Sequence, residues 1–136
     1  MIAIDTNVLL RYLLEDDVVQ SPKAAKLIGG IETVLITDIV LIETVWTLRG
    51  TKYPLDKPEL IGVLTALFQE PSIRFEDGQA TWVALDQYRK TKGADFADAL
   101  IVNKAKLTAS KLGEAFEGSY TFDKAAQKLS GAKAPK

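Results

Sequence analysis

Four acidic residues stand beside or within apolar stretches of this sequence. Asp5 directly follows the apolar residues 1–4, and Glu43, Asp98 and Asp123 recur later in similar company. A carboxylate in apolar surroundings loses hydration unless a cation, a proton or several N–H donors compensate it. The recurrence therefore predicts a shared metal site.

The residue types that are missing restrict the chemistry of such a site. The sequence contains no cysteine and no histidine, which excludes disulfides, thiolate ligands, cysteine nucleophiles and histidine-based zinc sites. It also excludes histidine, the commonest general base. Any metal must therefore bind oxygen ligands, and hard carboxylate oxygens suit Mg²⁺ or Mn²⁺.

Length and composition predict one ordinary globular domain. The chain has 136 residues, of which 47% are hydrophobic, and this is enough to build a core. We expect the domain to span residues 1–130, followed by a flexible basic tail at residues 131–136. The start of the chain lacks the features of a signal peptide, and no apolar run is long enough to span a membrane. A soluble, cytoplasmic protein is therefore expected, with no membrane association.

The charge balance is almost even. There are 17 Lys and Arg against 18 Asp and Glu, a net charge of -1, which makes no general electrostatic case for nucleic-acid binding. If several acids bind metal, the remaining surface is more basic than this total. The side chains that could then contact phosphates are Arg11, Lys23, Lys26, Arg49, Lys52, Arg89, Lys90 and Lys92, although scattered basic residues are more often only solvated surface.

The elements that must position the acids follow from the apolar periodicity and the capping residues. Strands are expected at residues 2–5, 33–37, 72–75 and 119–122. Helices are expected at residues 7–14, 21–28, 38–49, 56–69, 77–92, 95–112 and 123–129, with Ser21, Asp38, Asp56 and Asp77 as N-terminal caps. This alternation predicts an α/β fold, a short parallel sheet flanked by helices on both faces.

That fold predicts where the acids lie. Ligand sites in open α/β sheets form at the carboxyl ends of the strands, and Asp5 and Asp123 each directly follow an expected strand. Glu43 is the only charged residue between positions 38 and 49, within an apolar helix, and therefore needs a partner. Asp95 and Asp98 are three residues apart in the first turn of a helix, where the dipole favours negative charge.

Each acid also has a purely structural alternative. Asp5, Asp95 and Asp123 could cap the helices that follow them, and Asp98 could be an ordinary acid of a first turn. Glu43 could form a buried ion pair with Arg49 or Arg11. The joint pattern favours a site over separate caps, because one acid lies in the middle of an apolar helix.

Four segments that contain these acids resemble the PIN-domain family, in particular the VapC-type toxin ribonucleases of bacterial toxin–antitoxin pairs. They cover almost the whole chain in the family's order: Ile4-Asp5-Thr6-Asn7-Val8-Leu9, Ile42-Glu43-Thr44-Val45-Trp46, Ala94-Asp95-Phe96-Ala97-Asp98-Ala99-Leu100-Ile101 and Thr121-Phe122-Asp123. The stretch at residues 107–118 departs from the family, because it is longer and more polar than the usual link into the last strand.

The resemblance implies a Mg²⁺- or Mn²⁺-dependent endoribonuclease. The acids at the family's catalytic and metal-binding positions are Asp5, Glu43, Asp98 and Asp123, with Asp95 as an additional metal ligand and Thr6, Asn7 and Thr121 as supporting residues. It also implies attack by water that leaves 5′-phosphate and 3′-hydroxyl ends. The partners that it implies are RNA, a small cognate antitoxin and a second copy of the chain.

Two other function classes stay open at this point. An aspartyl-nucleophile phosphohydrolase could also place Asp5 after the first strand, but such enzymes usually have a second Asp two residues later, where this chain has Asn7. A non-catalytic PIN-like RNA-binding module is the other alternative, and the intact acidic set argues against it.

Overall fold

The computed structural model describes residues 1–136 and divides them into two compact units. The first unit is Met1–Glu76 and the second is Asp77–Lys136. No helix in either unit is long and apolar enough to cross a membrane.

The first unit contains a parallel sheet of three strands in the order β1-β2-β3. Its elements in chain order are β1 (Ile2–Ala3), α1 (Thr6–Leu14), α2 (Gln20–Ile28), β2 (Val34–Ile36), α3 (Asp38–Arg49), α4 (Lys57–Gln69) and β3 (Ile73–Phe75). In the register of the sheet, Ile2 pairs with Val34, and Val34 pairs with Ile73. Helices thus connect the parallel strands, which confirms the predicted α/β class.

Local sequence explains where most of these helices begin. Asp56 caps α4 in a capping box, because its side chain accepts from the Glu59 N–H at 2.8 Å and Glu59 Oε1 accepts from the Asp56 N–H at 3.1 Å. Pro58 in the first turn has no N–H to leave unsatisfied. The predicted start of this helix is confirmed.

Two predicted caps were wrong by one or a few residues. Thr37, not Asp38, caps α3, and Asp38 is the first helical residue. Ser21 lies buried inside α2, and the carboxylate of Asp17 instead accepts the N–H groups of Val19 and Gln20, at 2.9 and 2.7 Å. An upstream side chain with free N–H groups in reach replaces the expected cap in both cases. Asp77, another expected cap, occupies the N-cap position of the helix that begins at Gly78, but its side chain forms no capping hydrogen bond.

Apolar side chains from every helix of the first unit are buried. The largest fully buried ones are Leu9, Ile28, Val34, Ile36, Leu41, Leu48, Leu60 and Leu67. Phe68 of α4 and Phe75 of β3 also stack, with ring centroids 4.4 Å apart. In β2, Val34 and Ile36 are buried and Leu35 is half-buried, which explains why this strand appears in the sequence as a short apolar run.

The second unit consists of two long helices, a short parallel ribbon and one 3-10 helix. Its elements are α5 (Gly78–Lys90), α6 (Phe96–Lys111), β4 (Ser119–Tyr120), the 3-10 helix Ala126–Lys128 and β5 (Ala132–Lys133). Helices α5 and α6 pack together, with the rings of Tyr88 and Phe96 edge to face at 6.1 Å. Asn103 bridges the two helices by donating to Gln87 Oε1 at 2.8 Å.

The end of the chain differs from the expectation in two respects. Residues 123–129 were predicted to form a helix, but only Ala126–Lys128 are helical, as one 3-10 turn. Ala132 and Lys133, placed in the tail by the sequence, pair in parallel with Ser119 and Tyr120. The Gly131 φ of 93° turns the chain into this strand, a conformation that favours glycine. The domain boundary itself stays a prediction.

Candidate functional site

Asp5 is exposed and caps α1. Its Oδ1 accepts from the Val8 N–H at 3.0 Å, so the cap that the sequence offered as the alternative reading is present. The cap uses one carboxylate oxygen, and Oδ2 remains a potential ligand for a cation. Capping and metal binding are therefore compatible at this residue.

A groove of about 320 Å³ begins at Asp5 and runs between α1 and α2. Asn7 and Arg11 of α1 line it on one side, and Lys23 and Leu27 of α2 line it on the other. Thr6, the other expected supporting residue, is the first residue of α1 and lines no described groove. The structure thus places Asn7, but not Thr6, in a cavity with Asp5.

Glu43 lies in the middle of α3, as predicted, but its environment was predicted wrongly. Leu41, Thr44, Val45 and Leu48 are buried, whereas Glu43 is exposed. The carboxylate therefore keeps its hydration and needs no compensating charge.

The alternative ion pair of Glu43 with Arg49 or Arg11 was also wrong. Arg49 donates to the Leu55 carbonyl at 3.0 Å, and Arg11 binds both carboxylate oxygens of Asp16 at 2.8 and 2.9 Å. Neither arginine is paired with Glu43, so Glu43 stays open to solvent and to a ligand.

The first unit also has two acids close together that the sequence analysis did not consider as ligands. Carboxylate oxygens of Asp38 and Glu76 lie within 4.8 Å of each other, and Glu76 Oε1 accepts from the Asp38 N–H at 3.2 Å. They follow β2 and β3, whose last residues Ile36 and Phe75 are paired in register. The sequence could have indicated both acids, because each follows one of two adjacent parallel strands. Their oxygens could bind a divalent ion.

Asp95 and Asp98 form a capping box at the start of α6 in the second unit. Asp95 Oδ1 accepts from the Asp98 N–H at 2.7 Å, and Asp98 Oδ2 accepts from the Asp95 N–H at 3.0 Å. The structural alternative of a cap is therefore present here too. Each carboxylate uses one oxygen in the box and retains the other.

The pKa of Asp98 is raised above its ordinary value. Burial is the largest cause, and the negative charges of Asp95 and Asp123 add to it, while the hydrogen bond from the Asp95 N–H acts in the opposite direction. The structure therefore brings Asp95, Asp98 and Asp123 within electrostatic range of one another. A cation would relieve the repulsion among three such carboxylates.

Asp123 is fixed by a turn rather than by the expected helix. Its Oδ1 accepts from the N–H groups of Ala125 and Ala126 at 2.9 and 3.0 Å, and its own N–H donates to Thr121 Oγ1 at 3.1 Å. Gln127 donates to the Thr121 carbonyl at 2.9 Å. Thr121 thus supports Asp123 through its hydroxyl.

Asp98 and Thr121 also line a cleft of about 110 Å³, together with Ser119 and Tyr120. The second unit therefore presents three carboxylates and a hydroxyl in one region, a set of hard oxygen donors that fits Mg²⁺ or Mn²⁺. Asp5 and Glu43 belong to the first unit. The sharing of one ion by acids of both units stays a prediction.

One more acid of the second unit, Asp77, is already neutralised. It is bound by the ammonium group of Lys104, and the ammonium group of Lys111 lies 3.3 Å from its Oδ1. Because two lysines compensate its charge, we interpret Asp77 as a partner in structural ion pairs rather than as a metal ligand.

Comparison with known proteins identifies the family of this chain. The family model described as the PIN domain matches residues 2–129, and no curated protein matches the chain. PIN domains are generally nucleases, and they typically use divalent metal ions. Because the match covers almost the whole sequence, this chain belongs to the PIN-domain family.

Proposed function

We propose that the protein is a Mg²⁺- or Mn²⁺-dependent endoribonuclease and the toxin of a type II toxin–antitoxin pair in the cytoplasm. The observation that carries the nuclease proposal is the placement of Asp98 in a PIN domain, hydrogen-bonded to Asp95 in a capping box and within electrostatic range of Asp123. Carboxylates that repel one another in this way favour a bound cation. The toxin role rests on the resemblance of the sequence to VapC-type ribonucleases.

The proposed metal ligands are the carboxylates that keep an oxygen free of capping bonds. Asp98 and Asp123 supply them in the second unit, with Asp95 as an additional ligand, and Asp5 and Glu43 supply them in the first. Mg²⁺ usually contacts only one or two carboxylates directly, so the other acids act through water. When bound, the ion acidifies a water and offsets negative charge on the phosphodiester.

Asp98 is the best candidate to accept the proton of the attacking water. It lines the cleft beside Thr121, and its carboxylate keeps one oxygen outside the capping box. The N–H bonds that hold Asp95 and Asp123 fix the orientation of the neighbouring carboxylates. Together these residues hold the base and the ligands in place without any histidine.

The proposed substrate is RNA in single-stranded or looped regions. Unstacked strands expose their phosphates to an open groove, whereas the grooves of a duplex are hard for side chains to read. The products expected from attack by water carry 5′-phosphate and 3′-hydroxyl ends.

The proposal is tested by incubating the purified protein with single-stranded RNA and Mg²⁺, and by sequencing the ends of the products. EDTA should stop cleavage, and Asp5→Asn and Asp98→Asn should each lower kcat by at least about 100-fold, which corresponds to about 2.7 kcal/mol of transition-state stabilisation. Asparagine preserves the cap in both variants, so both should stay folded.

Asp56→Asn is the matched control. Asp56 sits in a capping box like that of Asp95, but it belongs to no proposed metal site, so this variant should retain wild-type activity. Full activity of both Asp5→Asn and Asp98→Asn would defeat the proposal. Metal binding without cleavage of diverse RNAs would instead favour a non-catalytic RNA-binding module.

The proposed partners are a small antitoxin and a second copy of the chain. Co-expression with the product of a neighbouring short open reading frame should suppress RNA cleavage and yield a stable complex in size-exclusion chromatography. Light scattering on the isolated chain should give twice the mass of the monomer. Cleavage that persists in the complex would argue against the toxin role and for a processing enzyme.

A further inference from the structure

We propose that Lys23 and Lys26 of α2 bind the phosphates of a single-stranded RNA that runs along α2 to Asp5. This inference rests on the proposed function, since it names the residues that would position the substrate. The sequence offered eight basic side chains as possible phosphate contacts. The structure separates those that already have a bonding partner from those that have none.

Most of these basic residues already have a partner within the protein. Arg11 binds Asp16, and Arg89 and Lys90 both bind Asp86. Arg49 donates to a backbone carbonyl, and the ammonium group of Lys52 lies over the Tyr53 ring, 5.2 Å from its centroid. These groups would have to give up a partner in order to bind a phosphate.

Lys23, Lys26 and Lys92 have no such partner, and of these three Lys23 and Lys26 share one helix. Both side chains are exposed, and neither takes part in a hydrogen bond or an ion pair. They lie three residues apart on α2, so they project from the same side of the helix. Two adjacent uncompensated cations attract successive phosphates of an RNA backbone.

Their position connects them to Asp5. Lys23 lines the groove of about 320 Å³ that begins at Asp5. Lys23 and Lys26 both line a second groove of about 370 Å³, which extends toward Ile31. Because Lys23 and Leu27 belong to both grooves, the two form one continuous track, called here the α2 track, from Ile31 to Asp5.

The walls of the α2 track fit a nucleotide chain better than a lone anion. Leu27 is 42% exposed and Ile31 is fully exposed, so apolar surface alternates with the two cations. Phosphates could pair with the lysines while riboses and bases cover the apolar side chains. The acid at the far end, Glu32, is paired with the N-terminal ammonium group at 3.1 Å, so its repulsion of a polyanion is reduced.

The test compares RNA binding and RNA cleavage by the wild type and by the Lys23→Ala/Lys26→Ala double variant. Binding of a labelled single-stranded oligonucleotide is measured in EDTA by fluorescence anisotropy over a series of KCl concentrations. Each phosphate contact on a single strand contributes about 0.7 to the slope of log affinity against log salt, so the double variant should lower that slope by about 1.4. At physiological salt it should weaken binding by about tenfold.

In cleavage assays with Mg²⁺, the double variant should raise KM by a similar factor and leave kcat nearly unchanged, because the lysines hold the strand and touch no reacting atom. Lys23→Arg/Lys26→Arg should restore KM. Lys52→Ala, which removes a lysine of the same unit outside the α2 track, should behave as the wild type. Unchanged unfolding curves would show that the exposed substitutions leave the fold intact.

The outcomes separate this inference from the proposed function. A wild type that cleaves RNA, together with an unchanged slope and KM in the double variant, would overturn the inference alone. Lysine-dependent RNA binding by a wild type that cleaves no RNA would support the α2 track and defeat the nuclease proposal. Lysine-dependent binding of a poly-glutamate peptide, with RNA binding independent of the lysines, would overturn the inference in favour of an acidic protein partner.

Discussion

Asp98 carries a charge that its surroundings disfavour. Burial and the charges of Asp95 and Asp123 raise its pKa, so the folded state binds its proton more tightly than the unfolded chain does. The contribution of this group to stability is therefore complete at low pH and is lost as the pH rises through the pKa of folded Asp98. At neutral pH and without metal, the charge of Asp98 therefore lowers the free energy of unfolding.

Asp98→Asn should therefore stabilise the metal-free protein at neutral pH. Asparagine removes the charge and can still accept the N–H bond in the capping box, so the gain should be largest near pH 7 and should shrink toward pH 4. Thermal unfolding in EDTA across this pH range measures it. A variant that is less stable than the wild type at pH 7 would show that the charge of Asp98 is well compensated.

Substitution of Asp86 provides a control, because its effect on stability should have the opposite sign. Its pKa is lowered by hydrogen bonds from Lys90 and Arg89, so its contribution to stability is present at neutral pH and is lost as the pH falls through the lowered value. Asp86→Asn should therefore destabilise the protein slightly near pH 7, and the difference from the wild type should vanish in acid.

Asp95 caps α6, and in the proposed site it is also a metal ligand. Asp95→Ala removes the acceptor for the Asp98 N–H, and it should cost about 1 kcal/mol of unfolding free energy in urea titrations. Asp95→Asn keeps an acceptor and should cost only a few tenths.

The same two variants decide the role of Asp95 in cleavage. Full activity in Asp95→Asn would mean that Asp95 is only a cap, whereas a folded but weakly active Asp95→Asn would make it a metal ligand. The difference between Asp95→Ala and Asp95→Asn in activity then measures how far the capping box orients Asp98.

The sequence predicted elements well where local signals and burial agree. The capping box of Asp56 and Glu59 defined the start of α4, and the apolar runs defined the three strands of the sheet. It failed where the helix begins upstream of the expected cap. Thr37 caps α3 one residue before Asp38, and Asp17 binds the N–H groups of Val19 and Gln20, which precede Ser21.

The C-terminal part was harder to predict for another reason. Residues 123–129 contain a capping acid and helix-forming residues, but tertiary pairing of Ala132 and Lys133 with β4 limits them to one 3-10 turn. Strands of two residues have no periodicity that a sequence pattern could display. Such elements are defined by their pairing alone.

On the scale of the whole molecule, the sequence identified the family, but it predicted the surroundings of one candidate acid wrongly. Glu43 was expected in the core because its neighbours in sequence are apolar, yet on α3 it points away from buried Leu41 and Val45. A helix has one buried face, and a window of sequence with few polar residues does not show which positions lie on it.

Metal should stabilise the folded protein as a whole. A free Mg²⁺ concentration of about 100 times its Kd should raise the unfolding free energy by about 2.7 kcal/mol, since the ion binds only the folded state. Asp5→Asn and Asp98→Asn should each reduce this gain, and Asp56→Asn should retain it. Differential scanning fluorimetry with and without EDTA measures the effect. An equal gain in all four proteins would place the ion elsewhere.

The pairing of β5 connects residues 132–133 to the candidate site. The Thr121 N–H donates to the Lys133 carbonyl at 2.9 Å, and the Thr121 hydroxyl in turn accepts from the Asp123 N–H. Trimming residues 132–136 should therefore speed amide hydrogen exchange at Thr121 and Asp123 and lower RNA cleavage, although chain ends usually tolerate truncation. Any variant that removes Lys133 takes away the carbonyl that holds the Thr121 N–H.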